Sequence, residues 1–434
     1  MDGLFNSPIM KKLQDFGQSL GRNKFLSSLQ AGMMSLMGII MVGAIAQILN
    51  AVLGPSMFNL YAADSVLYVN IQAVYHYTMN SLSLWVVIFM AYHYARMLKL
   101  KNPLMASVTS VVIFMLTCGI VTGSSPLGTP IIDFTYLGAQ GMFVGFIVVF
   151  LNVRMQHFCF SKNIRIKMPD IVPPFLQDGF SSIVPLFFMA VIVVVANLIV
   201  VSLTGGTLNI ASGFMALLSA PLNTLVSVPG MFILTIFGTI LWCFGIHGTM
   251  VIVPIIMPLS IQAAMANAAA YEAGGVEALV FYPVALFACV QLAGGTGNTW
   301  ALTLMGLRSK SKQIAAVSKI SVIPGWFGIN EPVVFGMPIM YNPILCIPYV
   351  LNVPVVMLLT LIAYQTGFII PGWIALSALL PIGFASYLTT LNIMNGLWNY
   401  LMLIPAGIIY YPFFKIYEKQ LIEKEQAAEA LETA

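Results

Sequence analysis

Residues 321–343 read SVIPGWFGINEPVVFGMPIMYNP, and how this stretch is read decides the fold. At its centre lies Glu331, the only acidic residue between Glu277 and Glu418. Its surroundings are apolar residues, glycines and prolines, and an ionisable side chain in such a setting lines a polar cavity or pathway rather than facing lipid. Pro324, Gly325, Gly328, Pro332, Gly336, Pro338 and Pro343 deny the stretch a continuous helix, because proline lacks a donor and glycine weakens a helix interior. Broken backbone at membrane depth is tolerated inside protein or beside water, where transporters hold solute. The plainer reading is a solvated carboxylate in an extramembrane loop.

Composition sets the class. Of 434 residues, 59% are hydrophobic and 7% charged, against roughly 25% charged in a soluble domain. The 18 Lys and Arg residues cluster near 11–24, 96–101, 154–167, 308–319 and 415–424, with none from Met168 to Leu307. The net charge of +4 therefore reports membrane orientation, and no basic aromatic patch points to nucleic acid. The five cysteines stand singly in apolar context and read as small buried hydrophobes, without disulfide or metal-ligand spacing.

Working outward, residues 1–30 have the spacing of an amphipathic helix on a membrane surface, cytoplasmic by its basic residues. Apolar spans are expected at about 32–54, 80–98, 103–122, 137–152, 182–203 and 228–247, then at 344–364, 371–391 and 393–414. Every basic junction falls on one side, while the opposite segments, 55–79 and 123–136, hold Asp64 and Asp133 but no Lys or Arg. Between 248 and 300 simple hydropathy fails. Pro254 and Pro258 interrupt one apolar piece, and another ends in QLAGGTGNTW at 291–300, so both are expected to be short discontinuous segments of the kind that form solute sites. The charged tail from Lys415, with Glu418, Lys419, Glu423 and Lys424 at helical spacing, is read as a cytoplasmic helix.

His247, in LWCFGIHGTM between Gly245 and Gly248, can bind hydroxyls or handle protons; a core imidazole satisfied by a carbonyl is the alternative. His76 and His157 fall in loops, and His93 reads as structural. Gly294, Gly295 and Gly297, with Thr296, Asn298 and Thr299, can expose backbone amides to a ligand, although close helix packing explains them equally well. Asn330, Glu331, His247 and Asn298, with Trp242, Trp300 or Trp326 as an aromatic face, form a set suited to a sugar. No GK[ST], Ser-His-Asp, HExxH or paired-carboxylate motif stands out, so a self-contained hydrolase is not indicated.

FGIHG at 244–248, GGTGNT at 294–299, SKISVIPGWFGINEPVVFGMPIMYNP at 318–343 and YYPFFKIYE at 410–418 resemble the enzyme IIC membrane subunit of bacterial sugar phosphotransferase systems. LGAQGMF at 137–143 and IKMPDIVPPFLQDGFSSIVP at 166–185 extend the likeness, which is nearest to the lactose, cellobiose and diacetylchitobiose branch. The resemblance implies an all-α integral membrane protein of about ten transmembrane helices, two re-entrant hairpins and amphipathic helices. It implies a homodimer in the lipid of the bacterial inner membrane, with both termini cytoplasmic. Residues 1–205 would form the dimer-interface domain, 206–414 the sugar-binding transport domain, and 415–434 the tail. It further implies that a disaccharide is translocated and receives a phosphoryl group from a phosphocysteine on soluble enzyme IIB, itself served by IIA, both being separate chains. Neither cofactor nor metal is implied. By motif, Glu331 would bind the accepting hydroxyl and assist its deprotonation, His247 would hydrogen-bond the sugar, and Asn330, Gly294, Gly295, Asn298 and Trp242 would complete the lining. The chain departs from the family at ALLPIGFASY, 378–387, where a Pro-Trp-Thr stretch is usual, and at Asn298, where a small residue is usual. A proton-coupled symporter or a non-transporting sensor of the same fold are the competing functional readings.

Overall fold

The computed structural model describes residues 22–432 except 55–57, 119–120, 125–129, 133–134, 170, 338 and 377–379. The surface helix read over 1–30 up to residue 21, Asp133, Pro338 and residues 378–379 of the altered stretch lie outside this set. The chain divides into two compact units, residues 22–223 with 257–262, and residues 224–256 with 263–434.

In the first unit, α1 (Lys24–Ser35) and α2 (Met37–Leu53) are followed by α3 (Val66–Thr78), α4 (Leu82–Met97) and α5 (Pro103–Cys118). A short antiparallel pair comes next, β1 (Val121–Ser124) with β2 (Pro130–Ile132). It is the one departure from an all-helical chain among the described residues, and the sequence had not suggested it. Then come α6 (Met142–Ser161), α7 (Pro174–Leu203) and α8 (Ile210–Leu225). Helix α4 is the hub: Val86, Val87, Met90, Ala91 and Tyr94 are fully buried as α1, α5 and α6 close around it. Between α5 and α6 the seam is polar. Asn152 Nδ2 donates to Thr109 Oγ1 at 3.1 Å and to Ser110 Oγ at 2.9 Å, and Gln156 Nε2 also donates to Thr109 Oγ1. Apolar helices have no hydrophobic drive to associate in lipid, so such bonds and close contacts supply the adhesion.

The second unit contains α9 (Val228–Cys243), α10 (Gly248–Gly274) apart from its residues 257–262, a 3-10 helix at Pro283–Val290, α11 (Trp300–Gly306), α12 (Lys312–Trp326) and α13 (Glu331–Gly336). It finishes with α14 (Pro343–Gln365), α15 (Phe384–Leu388), α16 (Ile393–Leu401) and α17 (Leu403–Glu432). Its core gathers Trp242, Leu302, Ile314, Val333, Leu345, Tyr349 and Tyr410 from these elements.

Three expectations are corrected, the first being that His76 and His157, read as loop residues, lie within α3 and α6. Pro254 and Pro258 do not interrupt the chain: both sit inside the continuous 27-residue α10. One proline removes one amide donor and leaves the neighbouring turns bonded, a loss that a long helix absorbs. Helix α14 likewise runs through Pro348 and Pro354. Conversely, 371–391 is not a continuous span. Its described residues are irregular apart from the five residues of α15, because Pro371, Gly372 and Pro381 break the ladder and Gly383 adopts φ +80°. Asn395 holds the start of this segment by accepting from Ile370 N at 3.1 Å and donating to Ile370 O at 2.8 Å.

Among the described residues six helices are long and apolar enough to cross a membrane, or seven if 210–225 and 228–243 form one span. The chain is thus a multi-helix membrane protein, and the count of ten remains an expectation. At the hub, a Cβ on Gly32 of α1 would stand 2.9 Å from Met90 Cβ on α4, closer than atoms pack. We expect Gly32→Val to destabilise the first unit by about 1–3 kcal/mol through overpacking. A lowered apparent Tm of the detergent-solubilised protein checks this; an unchanged melt would mean that α1 stands off from α4.

Candidate functional site

The site is built from two chain reversals within the second unit. The first links the 3-10 helix at Pro283–Val290 to α11. Gly294, Gly295 and Gly297 adopt φ of +92°, +83° and +76°, and Asn298 follows at +56°. Such backbone suits residues without a Cβ, with asparagine the common exception. Asn298 locks the turn from within: its Oδ1 accepts from Ala293 N at 2.8 Å and its Nδ2 donates to Cys289 O at 3.0 Å. Thr299 Oγ1 donates to Gly294 O at 2.9 Å.

The second reversal is the stretch first singled out. Ser311 caps α12, Pro324 lies in its last turn, and Gly328 at φ +80° turns the chain into α13. Pro332 occupies the first turn of α13, where its missing N–H would have had no helical partner. Glu331 therefore begins a helix directly after a tight turn. Its carboxylate is half-buried and has no hydrogen-bond partner among the described residues.

The two tips meet. Asn330 Nδ2 donates to Thr296 O at 2.7 Å, and Trp300 Nε1 donates to Val322 O at 3.0 Å. The approach is so close that a Cβ on Gly295 would lie 2.6 Å from Asn330 Cβ. From behind, Tyr410 of α17 donates its hydroxyl to Gly297 O at 2.7 Å, and the ring of Tyr349 covers Gly297. From the side comes the start of α10, where Thr249 Oγ1 and Thr296 Oγ1 are 3.1 Å apart.

That contact brings in His247, the N-cap of α10. Its Nδ1 accepts from Met250 N at 3.3 Å, so in the neutral imidazole the proton resides on Nε2, free to donate to a ligand. The Trp242 ring lies 4.2 Å from the imidazole, centroid to centroid, and Glu331 is near enough for its charge to act on His247. The indole N–H of Trp242 is buried without a partner among the described residues.

The structure thus gathers Glu331, His247, Asn330, Gly294, Gly295, Asn298 and Trp242 into one constellation, in two tiers. Glu331 and His247 are partly exposed and have polar atoms to offer. The Asn298 amide and the Asn330 N–H₂ are engaged in holding the turns. Of the other aromatic candidates, Trp300 pins the hairpins together, and Trp326 Nε1 donates to Tyr400 OH at 3.0 Å. His93 contacts Ser35 Oγ at 3.2 Å within the first unit, in keeping with a structural role. Thr249, Tyr349 and Tyr410 escaped the sequence reading, whereas Thr296 belongs to the glycine turn already read as ligand-facing. Only Thr249, beside His247, and Tyr410, inside the YYPFF motif, carried any signal. Among the described residues no group of three or more His, Cys, Asp or Glu side chains could hold a metal.

An unpartnered carboxylate and an imidazole donor on a braced backbone can bind a polyol and accept a hydroxyl proton. Comparison with known proteins leads the same way. The oligo-beta-mannoside-specific EIIC component of the PTS system in Bacillus subtilis (strain 168) is 32% identical over 365 residues, covering 82% of this chain and 81% of that protein. The lichenan permease IIC component of the same organism is 33% identical over 307 residues, covering 70% and 67%. The crystal structure of the transporter ChbC, the IIC component from the N,N'-diacetylchitobiose-specific phosphotransferase system, superposes with a TM-score of 0.85 at 27% identity, covering 95% of this chain and 98% of that one. The profile of the family "Phosphotransferase system, EIIC" matches residues 23–352. This chain belongs to that family of membrane sugar permeases, whose members work with EIIB and EIIA.

Proposed function

We propose that this permease carries a β-linked disaccharide or short oligosaccharide of the cellobiose and diacetylchitobiose type, and presents one hydroxyl, the 6-hydroxyl by family likeness, at Glu331 for phosphorylation. The observation that carries the reading is the Glu331 carboxylate, without a hydrogen-bond partner among the described residues, at one of two interlocked hairpin tips against which the start of α10, with His247 as its N-cap, is seated. The named specificities of the relatives support the sugar class.

The step requires little covalent chemistry from the permease. The S–P bond of phosphocysteine on IIB breaks as an O–P bond forms to the sugar, and the hydroxyl proton leaves. Positioning and electrostatics dominate phosphoryl transfer, so a carboxylate within hydrogen-bond reach of the hydroxyl both aims the nucleophile and takes its proton. Nε2–H of His247 anchors a neighbouring sugar oxygen, with the Trp242 ring behind the imidazole. Residues 206–414 act as the transport half, residues 1–205 as the dimer-forming half of a homodimer, and the basic loops at 96–101, 154–167 and 308–319 face IIB in the bacterial cytoplasm. Both termini lie on that side of the inner membrane.

The test uses membranes bearing this chain with its radiolabelled phospho-IIB and a panel of disaccharides. Transfer to one sugar is expected. Exchange of unlabelled sugar with no transfer would instead favour a symporter, and binding alone a sensor. Glu331→Gln is expected to lower phosphoryl transfer by about 100-fold or more, the usual worth of a general base. Wild-type turnover in that variant would sink its assigned role. His247→Ala is expected to raise the sugar Kd about 10- to 100-fold, the scale of one buried polar contact. Equilibrium binding to the purified permease measures it, and an unchanged Kd would return His247 to a purely structural part.

A further inference from the structure

We infer that the C-terminal helix α17 is a positioning clamp for the Glu331 hairpin, acting through Glu418 and Glu425. The inference rests on the proposed role of Glu331 and adds residues from the tail, which lies beyond the matched stretch of residues 23–352.

The tail is not a detached charged extension. Glu425 Oε1 accepts from Ser311 Oγ at 2.7 Å and from Gln313 N at 3.0 Å, while Oε2 accepts from Lys312 N at 3.1 Å. Glu418 Oε1 accepts from Ser309 Oγ at 2.7 Å and Lys310 N at 3.0 Å, and its Oε2 from Lys415 Nζ at 2.8 Å. Two carboxylates thus collect three main-chain amides and two hydroxyls from residues 309–313. Lys312 N and Gln313 N open α12 and have no carbonyl available within the helix, so Glu425 supplies acceptors that the helix lacks. Carboxylate acceptors make the stronger class of hydrogen bond. The nearby ion pair Lys312–Glu429 is exposed on both sides and adds little. What the clamp fixes is backbone.

That backbone leads directly to the site. Helix α12 is 15 residues, or about 22 Å at 1.5 Å per residue, and ends at the reversal that carries Glu331. Gln313 Nε2 also donates to Gly336 O at 3.3 Å, tying the base of α12 to the end of α13. The hairpin is therefore held at its tip by Asn330 on Thr296, and at its base by Glu425 on 311–313. Both anchors lie on the same side-chain framework, because α17 also supplies Tyr410 to the glycine turn. A hairpin released at its base retains one anchor and can pivot about it. Glu418 and Glu425 are positioning residues; neither touches the proposed sugar.

The test compares Glu425→Ala with Glu425→Gln in the full chain, assayed in membranes with phospho-IIB and normalised to folded, sugar-binding protein. Glutamine keeps one acceptor oxygen, enough for Ser311 Oγ and Gln313 N, and loses both the charge and the second acceptor that serves Lys312 N. Glu425→Ala is expected to lower kcat about tenfold with sugar KM little changed, since small displacements of a reacting group cost that much or more. Backbone hydrogen exchange over residues 325–336 should quicken by about the same factor, while Glu425→Gln, which retains one of the two acceptor oxygens, falls between Glu425→Ala and wild type in both. Should Glu425→Ala fail to fold, Glu418→Ala removes the companion carboxylate from Ser309 Oγ and Lys310 N without touching the Ser311 cap, and should shift exchange in the same direction. Unchanged exchange over 325–336 in the folded variants overturns the clamp, whatever the activity. Quickened exchange alongside wild-type turnover of Glu331→Gln would uphold the clamp and remove the proposed role of Glu331, so the two failures are distinguishable.

Discussion

The hydrogen bond from Asn330 to the carbonyl of Thr296 joins two pieces of chain that have both given up regular structure. In an apolar environment every amide and carbonyl left out of a helix must find another partner, or cost several kcal/mol. Buried asparagines, aromatic N–H and O–H groups meet that demand throughout the second unit. Asn298 serves the glycine turn, Asn395 the segment after α14, and Asn267 both Val280 and Gly372. Trp300, Trp373 and Tyr410 each lend one donor to a carbonyl in an irregular stretch or at a helix end. The polar residues buried here serve the backbone first, and only those not so engaged remain for a ligand.

This division explains why Glu331 and His247 stand apart from their polar neighbours. Each sits at the first turn of a short or long helix immediately after a break, a place where the chain changes direction and the side chain is partly open. Rigid elements behind them, α14 and α17 with their buried tyrosines, keep these positions from being ordinary loop positions. Catalytic and binding groups gain from such preorganisation, because the ordering has already been made in the fold.

Much of this was legible in the sequence. An isolated carboxylate in an apolar context, a run of glycines ending in Asn298, and basic clusters at regular junctions needed no structure to be read. The prolines misled in both directions, for one physical reason: a proline reports the loss of one donor and says nothing about what surrounds it. Pro254 and Pro258 lie in a helix whose other bonds continue, whereas Pro371 and Pro381 act together with Gly372 and Gly383, and there the helix fails. The engagement of the Asn298 amide was invisible because it depends on a turn closing on itself. Tyr349 and Tyr410 look like any aromatic residue of an apolar span, and only the fold places them against Gly297.

Four of the bonds that brace the glycine turn and the second hairpin end on main-chain carbonyls, those of Gly294, Thr296, Gly297 and Val322. A carbonyl is present whatever the residue, so at these points the scaffold constrains size and torsion but not the chemistry of the side chain accepting the contact. Divergence is thereby partitioned. Positions facing the proposed solute can exchange one hydroxyl-recognising group for another while the framework is kept intact, and a new sugar preference need not come with a loss of foldability.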